Sequence, residues 1–234
     1  MAEKWNGKMK AVTFSYDDGV VQDIHLIELL NRYNLKCTFN LNSGRLGMGN
    51  FLHRADHRIA HYKVKPEHVK QIYEGHEVAV HTINHPMLPQ LEDAEVIRQV
   101  EEDRMALEAL VGYDIVGMAY PGGGVNHDDR VADLIRSNTK MQYCRTILST
   151  DSFDVQEDLH KLKPNVYHLK WDRMFDLANQ FIALEADKPQ MFYIWGHAYE
   201  MDFASENWVN LEKFFQLISN RDDIFYGTNA EVLL

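Results

Sequence analysis

Two cysteines in 234 residues are too few for a disulfide framework. Cys37 and Cys144 each sit in an apolar, strand-like run and read as buried, reduced thiols. Positive charge is also short: 24 Lys and Arg against 35 Asp and Glu leave a formal charge of −11. Nucleic acid and anionic membrane surfaces both need a basic face, so neither is expected as a partner. No apolar run is long enough to span a bilayer. The N-terminal MAEKWNGKMK lacks the apolar stretch of a signal peptide, so a cytoplasmic location is expected unless a leader has been removed. No repeat, low-complexity segment or linker divides the chain, and residues 1–234 read as one domain.

What is present is an ordinary globular composition, 45% hydrophobic and 25% charged. Strand-like runs at 11–14, 36–41, 77–80, 115–120, 141–146, 190–195 and 224–226 alternate with helical patterns at 21–33, 66–73, 91–111, 128–137, 171–185 and 207–219. Such alternation implies parallel strands with helices packed outside, as a barrel or an open sheet. Two stretches, 42–65 and 149–168, show neither period and read as irregular.

Asp17-Asp18, His81, Tyr120 and His197 all follow directly on a strand-like run. In parallel α/β folds that is the carboxyl-end rim, where sites are built. Read alone, Asp17-Asp18-Gly19 is a turn. Two adjacent carboxylates repel, however, unless a cation or a proton intervenes. His81 and His85 flank three residues, a spacing that on a helix or tight turn lets both share one metal. Thr82 stands where a zincin helix needs its Glu base, so the base must come from the Asp pair. His197, delivered by Tyr193-Ile194-Trp195-Gly196, is either a satisfied core histidine or a general acid. Tyr120-Pro121-Gly122-Gly123-Gly124 lacks the Lys and Ser/Thr of a P-loop; it is a plain turn or an exposed backbone N–H near a reacting carbonyl. His53, His57 and His61 recur every four residues and would share a face if helical, though a surface loop is the expectation. His127-Asp128-Asp129 reads as a helix start.

With these residues in place, the chain resembles the polysaccharide deacetylases, the NodB-homology or carbohydrate esterase family 4. Thr13-Phe14-Ser15-Tyr16-Asp17-Asp18-Gly19 resembles the first motif, T-F-D-D-G, with two residues added. His81-Thr82-Ile83-Asn84-His85-Pro86 is similar to the second, and Ile194-Trp195-Gly196-His197 to the fifth. The third, R-x-P-Y-G, is half present at Ala119-Tyr120-Pro121-Gly122-Gly123, without its arginine and its tyrosine. The fourth has no clean match, although Asp151 to Asp154 lie where it falls. The resemblance covers about residues 10–200.

The resemblance implies an α/β fold, a distorted (β/α)7 barrel. It implies a divalent metal, usually Zn2+, on Asp18, His81 and His85, with Asp17 as base, His197 as acid and the Gly122 N–H at the oxyanion. Ala119 stands where the family arginine orders the base; Arg145 is the candidate substitute. The expected reaction is hydrolysis of N- or O-linked acetyl groups on a carbohydrate, a small soluble acetylated sugar being favoured over a wall polymer. Tyr16, Tyr120, Trp171, Trp195, Tyr199 and Trp208 are candidate stacking surfaces for sugar rings. Two alternatives stay open: a cyclic-amide hydrolase of the same fold, and a catalytically idle carbohydrate-binding protein.

Overall fold

The computed structural model describes residues 4–54 and 57–234. Its central strand is β1 (Lys10–Asp17), in which every residue is buried. Burial on both faces is what a parallel strand covered by helices on one side and barrel interior on the other requires. β1 is flanked by β2 (Cys37–Leu41) along its second half. The last strand, β10 (Ile224–Tyr226), takes its first three residues. The other edge pairs along its length with β9 (Gln190–Gly196). From β2 the sheet continues through β5 (Glu77–Val80), β6 (Gly117–Ala119) and β7 (Tyr143–Arg145), all parallel. Beyond β9 lies β8 (Val166–Tyr167). Leu162, just before β8, bridges Arg145 on β7, so the segment 162–167 links the two ends of the curled sheet. The expected α/β architecture, a distorted NodB-like (β/α) barrel, is what forms.

Ser15 and Tyr16 lie in unbroken register, opposite Thr38 and Phe39 of β2 and beside Trp195 and Gly196 of β9. They are therefore not an insertion: Ser15-Tyr16 take the place of the motif's Thr-Phe ahead of the acidic pair.

The helices are α1 (Asp23–Arg32), α2 (Val69–Ile72), α3 (Asp93–Val111), α4 (Asp129–Asn138), α5 (Trp171–Ala183), α6 (Ser205–Ile218) and α7 (Asn229–Leu233). The longer helices bury an apolar stripe; Phe214 and Phe215 of α6 meet Phe14 edge-on at 6.4 and 5.4 Å. α4 opens as expected from His127-Asp128-Asp129: the Asp128 carboxylate accepts the Val131 N–H at 2.8 Å. Cys37 and Cys144 are buried free thiols. No helix among the described residues is long and apolar enough to cross a membrane.

The stretch 42–65 departs from expectation. It contains an antiparallel hairpin, β3 (Gly49–Arg54) and β4 (His57–Tyr62). Most of its described side chains are exposed or half-buried, so neither face writes an alternating apolar pattern. His53 and His61 consequently sit on strands, not on a shared helical face; the side chain of His57 lies outside those described. The stretch 149–168 likewise holds a short strand, β8, which has too few residues to show a period.

Candidate active site

Strand register brings the candidate residues to one rim. Asp17 ends β1 opposite Asn40, and Tyr16 pairs with Gly196, which sets His197 alongside. Asp17 is 2% exposed. Its Oδ1 accepts from Asn40 Nδ2 at 2.8 Å, and Arg145 Nη2 donates to both carboxylate oxygens at 2.6 and 2.5 Å. Arg145 is itself fully buried, its guanidinium 4.6 Å from the centre of the Trp195 ring. Burial pushes the Asp17 carboxyl up, but Arg145 together with His81 and His197 outweighs it and holds the group below its ordinary value. β7 thus supplies the cation that Ala119 on β6 lacks.

Asp18 turns the other way. It adopts φ +86°, and His85 and Thr82 adopt +57° and +68°. Left-handed backbone at a residue with a side chain costs roughly 1–3 kcal/mol, and it persists where neighbours over-determine it. Here they do. Asp103 of α3 accepts the Ser43 and His81 N–H groups at 2.7 and 3.1 Å. Asn42 Nδ2 donates to Thr82 O at 2.9 Å, and the His85 N–H donates to Thr82 Oγ1 at 3.1 Å. The 82–85 segment is accordingly a tight turn rather than a helix.

One donor atom each from Asp18, His81 and His85 lies within 4.8 Å of the others. The His81 Nδ1–H donates to Ala119 O at 2.8 Å, which leaves its Nε2 lone pair facing the carboxylates. Burial pushes His81 down to about 4 and lowers His85 as well, so both rings are neutral at neutral pH. Neutral imidazole and ionised carboxylate are the protonation states that ligate a metal, and one Asp with two His suits zinc. Asp18 also has two neighbours that the sequence did not reveal. Lys63 Nζ lies 3.4 Å from Oδ1, and His61 Nε2 lies 3.5 Å from Oδ2. Burial pushes Asp18 up, but the contact with His61 and the Lys63 charge outweigh it and hold it well below its usual range.

His197 Nε2 stands 3.9 Å from Asp17 Oδ2. Its Nδ1–H donates to Glu200 Oε2 at 3.1 Å, and the same oxygen accepts from His168 Nε2 at 2.8 Å. Gly196 makes this possible, because a Cβ there would lie 2.3 Å from the His168 ring. Burial pulls His197 down, yet the Glu200 bond and the charges of Glu200, Asp17 and Asp18 raise it to about 9. The ring therefore carries its proton at neutral pH. Glu200 is thus the carboxylate that holds both the His197 and the His168 rings. Asp151 and Asp154 instead pair with Arg173 and Lys188 at the surface.

Asp17, Asp18, His81, His85, Gly122 and His197 line one cavity of about 280 Å3. Gly122 holds φ +88°, a conformation natural to glycine, and a Cβ there would meet Met87 Sδ at 2.5 Å. Asn126 Nδ2 pins its loop through the Tyr120 and Gly122 carbonyls, both at 3.1 Å. Among the described residues the Gly122 N–H has no acceptor. Of the candidate aromatic platforms, Tyr120, Trp195 and Tyr199 line the cavity. Tyr16 is fully buried, and the Trp171 and Trp208 indoles bond to Asn207 and Asp202 instead.

A parallel barrel whose rim joins two buried carboxylates to three imidazoles is a hydrolase-type α/β scaffold. The polysaccharide deacetylase family model matches residues 4–141, and the chain belongs to that family. The chain is 28% identical over 137 residues to the peptidoglycan-N-acetylmuramic acid deacetylase PdaC of Bacillus subtilis (strain 168). That match takes in 58% of this chain and 25% of the relative, so the chain spans about a quarter of that protein's length. The solved PdaC structure aligns at TM-score 0.54 and 18% identity, over 96% of this chain and 90% of that one. A structure from Mycobacterium smegmatis gives TM-score 0.66 at 15% identity, covering 97% and 90%. A CE4 family pseudoenzyme from Bacillus anthracis gives 0.56 at 16%, covering 100% and 67%. At these identities the structural likenesses establish the fold alone.

Proposed function

We propose that this chain is a metal-dependent hydrolase that removes N- or O-linked acetyl groups from a carbohydrate. The observation that carries the reading is the division of the Asp pair: Asp17 is tied to Arg145, while Asp18 faces His81 and His85. Asp18, His81 and His85 would hold a divalent ion, Zn2+ by donor chemistry. Such an ion lowers the pKa of water toward 7 and polarises a carbonyl oxygen.

The chain's own groups supply the rest. Asp17, ionised at neutral pH, takes the proton of the attacking water. Its bond to Arg145 keeps one orientation during the transfer. Gly122 lines the cavity, and its N–H is the donor for the negative charge that develops on the acetyl oxygen. His197 carries the proton that the departing amine or alkoxide needs, and Glu200 holds that ring in place. Acetate and a free amine or hydroxyl leave.

The missing motif arginine favours a second reading, an idle carbohydrate-binding protein. Arg145 at Asp17 weighs against it, since the base keeps its cation. The test is acetate release from a panel of acetylated oligosaccharides, with and without chelator. Release that chelator abolishes and zinc restores supports the proposal, with Asp17→Asn slowing turnover by about 10²- to 10⁴-fold. Sugar binding with no acetate from any substrate would overturn it.

A further inference from the structure

Beside the metal triad runs a second groove of about 400 Å3, walled by the hairpin and by the turn that carries His85. Its lining includes Arg45, Asn50, His61, Lys63 and Asn84 and, among the described residues, contains no carboxylate. In a chain of formal charge −11 that is a local reversal of sign. We propose that this groove binds a carboxylate carried by the sugar substrate, with Arg45 and Lys63 as its cationic partners. The inference rests on the deacetylase reading for the sugar; the carboxylate follows from the groove.

Both cations have donors to spare. Arg45 Nη2 donates to Asn84 O at 2.6 Å, and Arg45 forms no ion pair among the described residues. Its remaining guanidinium N–H groups are open to a planar, doubly accepting group such as a carboxylate. Lys63 is 7% exposed, and a buried ammonium needs close acceptors. The acceptors nearest to it are loose: His61 Nε2 at 3.2 Å and Asp18 Oδ1 at 3.4 Å.

The groove is also positioned for a substituent next to the scissile acetyl group. Gly44 N–H donates to Ile83 O at 3.1 Å, and Arg45 reaches Asn84, so one wall is the His81–His85 turn itself. Lys63 and His61 reach Asp18 from the groove side, so the two cavities share a wall.

The test compares a matched pair of N-acetylated oligosaccharides, one uncharged and one bearing a carboxylate on the ring. Binding is measured by titration calorimetry on the full chain, with turnover stopped by Asp17→Asn. Tighter binding of the acid by about tenfold at low salt is expected, the worth of one charge-assisted contact. The preference should collapse in Arg45→Gln, whose thermal melt checks its fold, and at about 1 M salt. Equal affinities, a preference that survives Arg45→Gln, or no binding of either sugar would overturn the proposal. Acetate release from the same pair by the unmutated chain is read separately. Release without preference removes the groove's role and keeps the deacetylase; selective binding without release does the reverse.

Discussion

Replacing Arg145 with Met removes the cation that hydrogen-bonds both Asp17 oxygens and leaves Asn40 as the carboxylate's sole side-chain donor of similar reach among the described residues. Removing one partner of a buried ion pair typically costs about 3–5 kcal/mol, because the other charge is left uncompensated. Each pKa unit is worth about 1.36 kcal/mol, so expressing even about 2 kcal/mol of that cost at Asp17 raises its pKa by more than one unit. The base must be ionised to act, so the acid limb of the pH–kcat/KM profile for acetate release should move up by at least that much. Arg145→Lys, which keeps the charge and loses the planar donor, should fall between. Stability carries the same signature. Asp17 has a depressed folded pKa, so its contribution is present above the unfolded value and is lost as pH falls through the folded one. Urea melts of Arg145→Met and the unmutated chain should therefore differ at neutral pH and converge in acid. An unmoved acid limb, with metal content equal in both proteins, would refute the assignment of Arg145 as the group that orders the base.

Other perturbations have equally definite signs. Glu200→Gln removes the charge that holds His197 near 9, so the basic limb of the same profile should shift to lower pH; an unchanged limb would exclude His197 as the acid. Asp103→Asn leaves the Ser43 and His81 N–H groups with a neutral acceptor that can turn only one oxygen to them. It should lower stability by about 1–2 kcal/mol and weaken metal binding by loosening both turns, measured by melts and by competition with a chelator. His76 and His81, both pushed to about 4 by burial, bind protons more weakly folded than unfolded. In the metal-free chain both rings should therefore stay neutral until the pH falls to about 4, as followed by NMR titration of their ring resonances. Either ring titrating near 6.5 would contradict the buried neutral state.

The barrel was legible because its core strands are covered on both faces and write continuous apolar runs. β5 and β9 lie within a residue of their expected limits, whereas β1 runs on from the expected 11–14 to Lys10–Asp17, and each delivers its polar residue to the rim. Asp18, His81 and His85 were legible as a set because motif spacing ties them to strand ends. What stayed hidden depended on contacts between distant segments. Arg145, the candidate substitute for the motif arginine, does reach Asp17 across 128 residues, although nothing local in Tyr143-Cys144-Arg145 marks that side chain as turned inward. Glu200 lies three residues after His197, a helical spacing that is the one local signal of this pair. The hairpin was lost because its outer face is exposed and its inner face offers only the short Leu52–Ile59 pair as an apolar signal, and with it went the approach of His61 and Lys63 to Asp18.

The division of labour between the adjacent carboxylates is tested most directly by metal content. After dialysis against zinc, the purified chain and its Asp17→Asn, Asp18→Asn and His81→Ala variants are assayed by elemental analysis. One ion per chain is expected in the first two and little or none in the last two. Equal metal loss in Asp17→Asn and Asp18→Asn, or no bound ion in the unmutated chain, would contradict it.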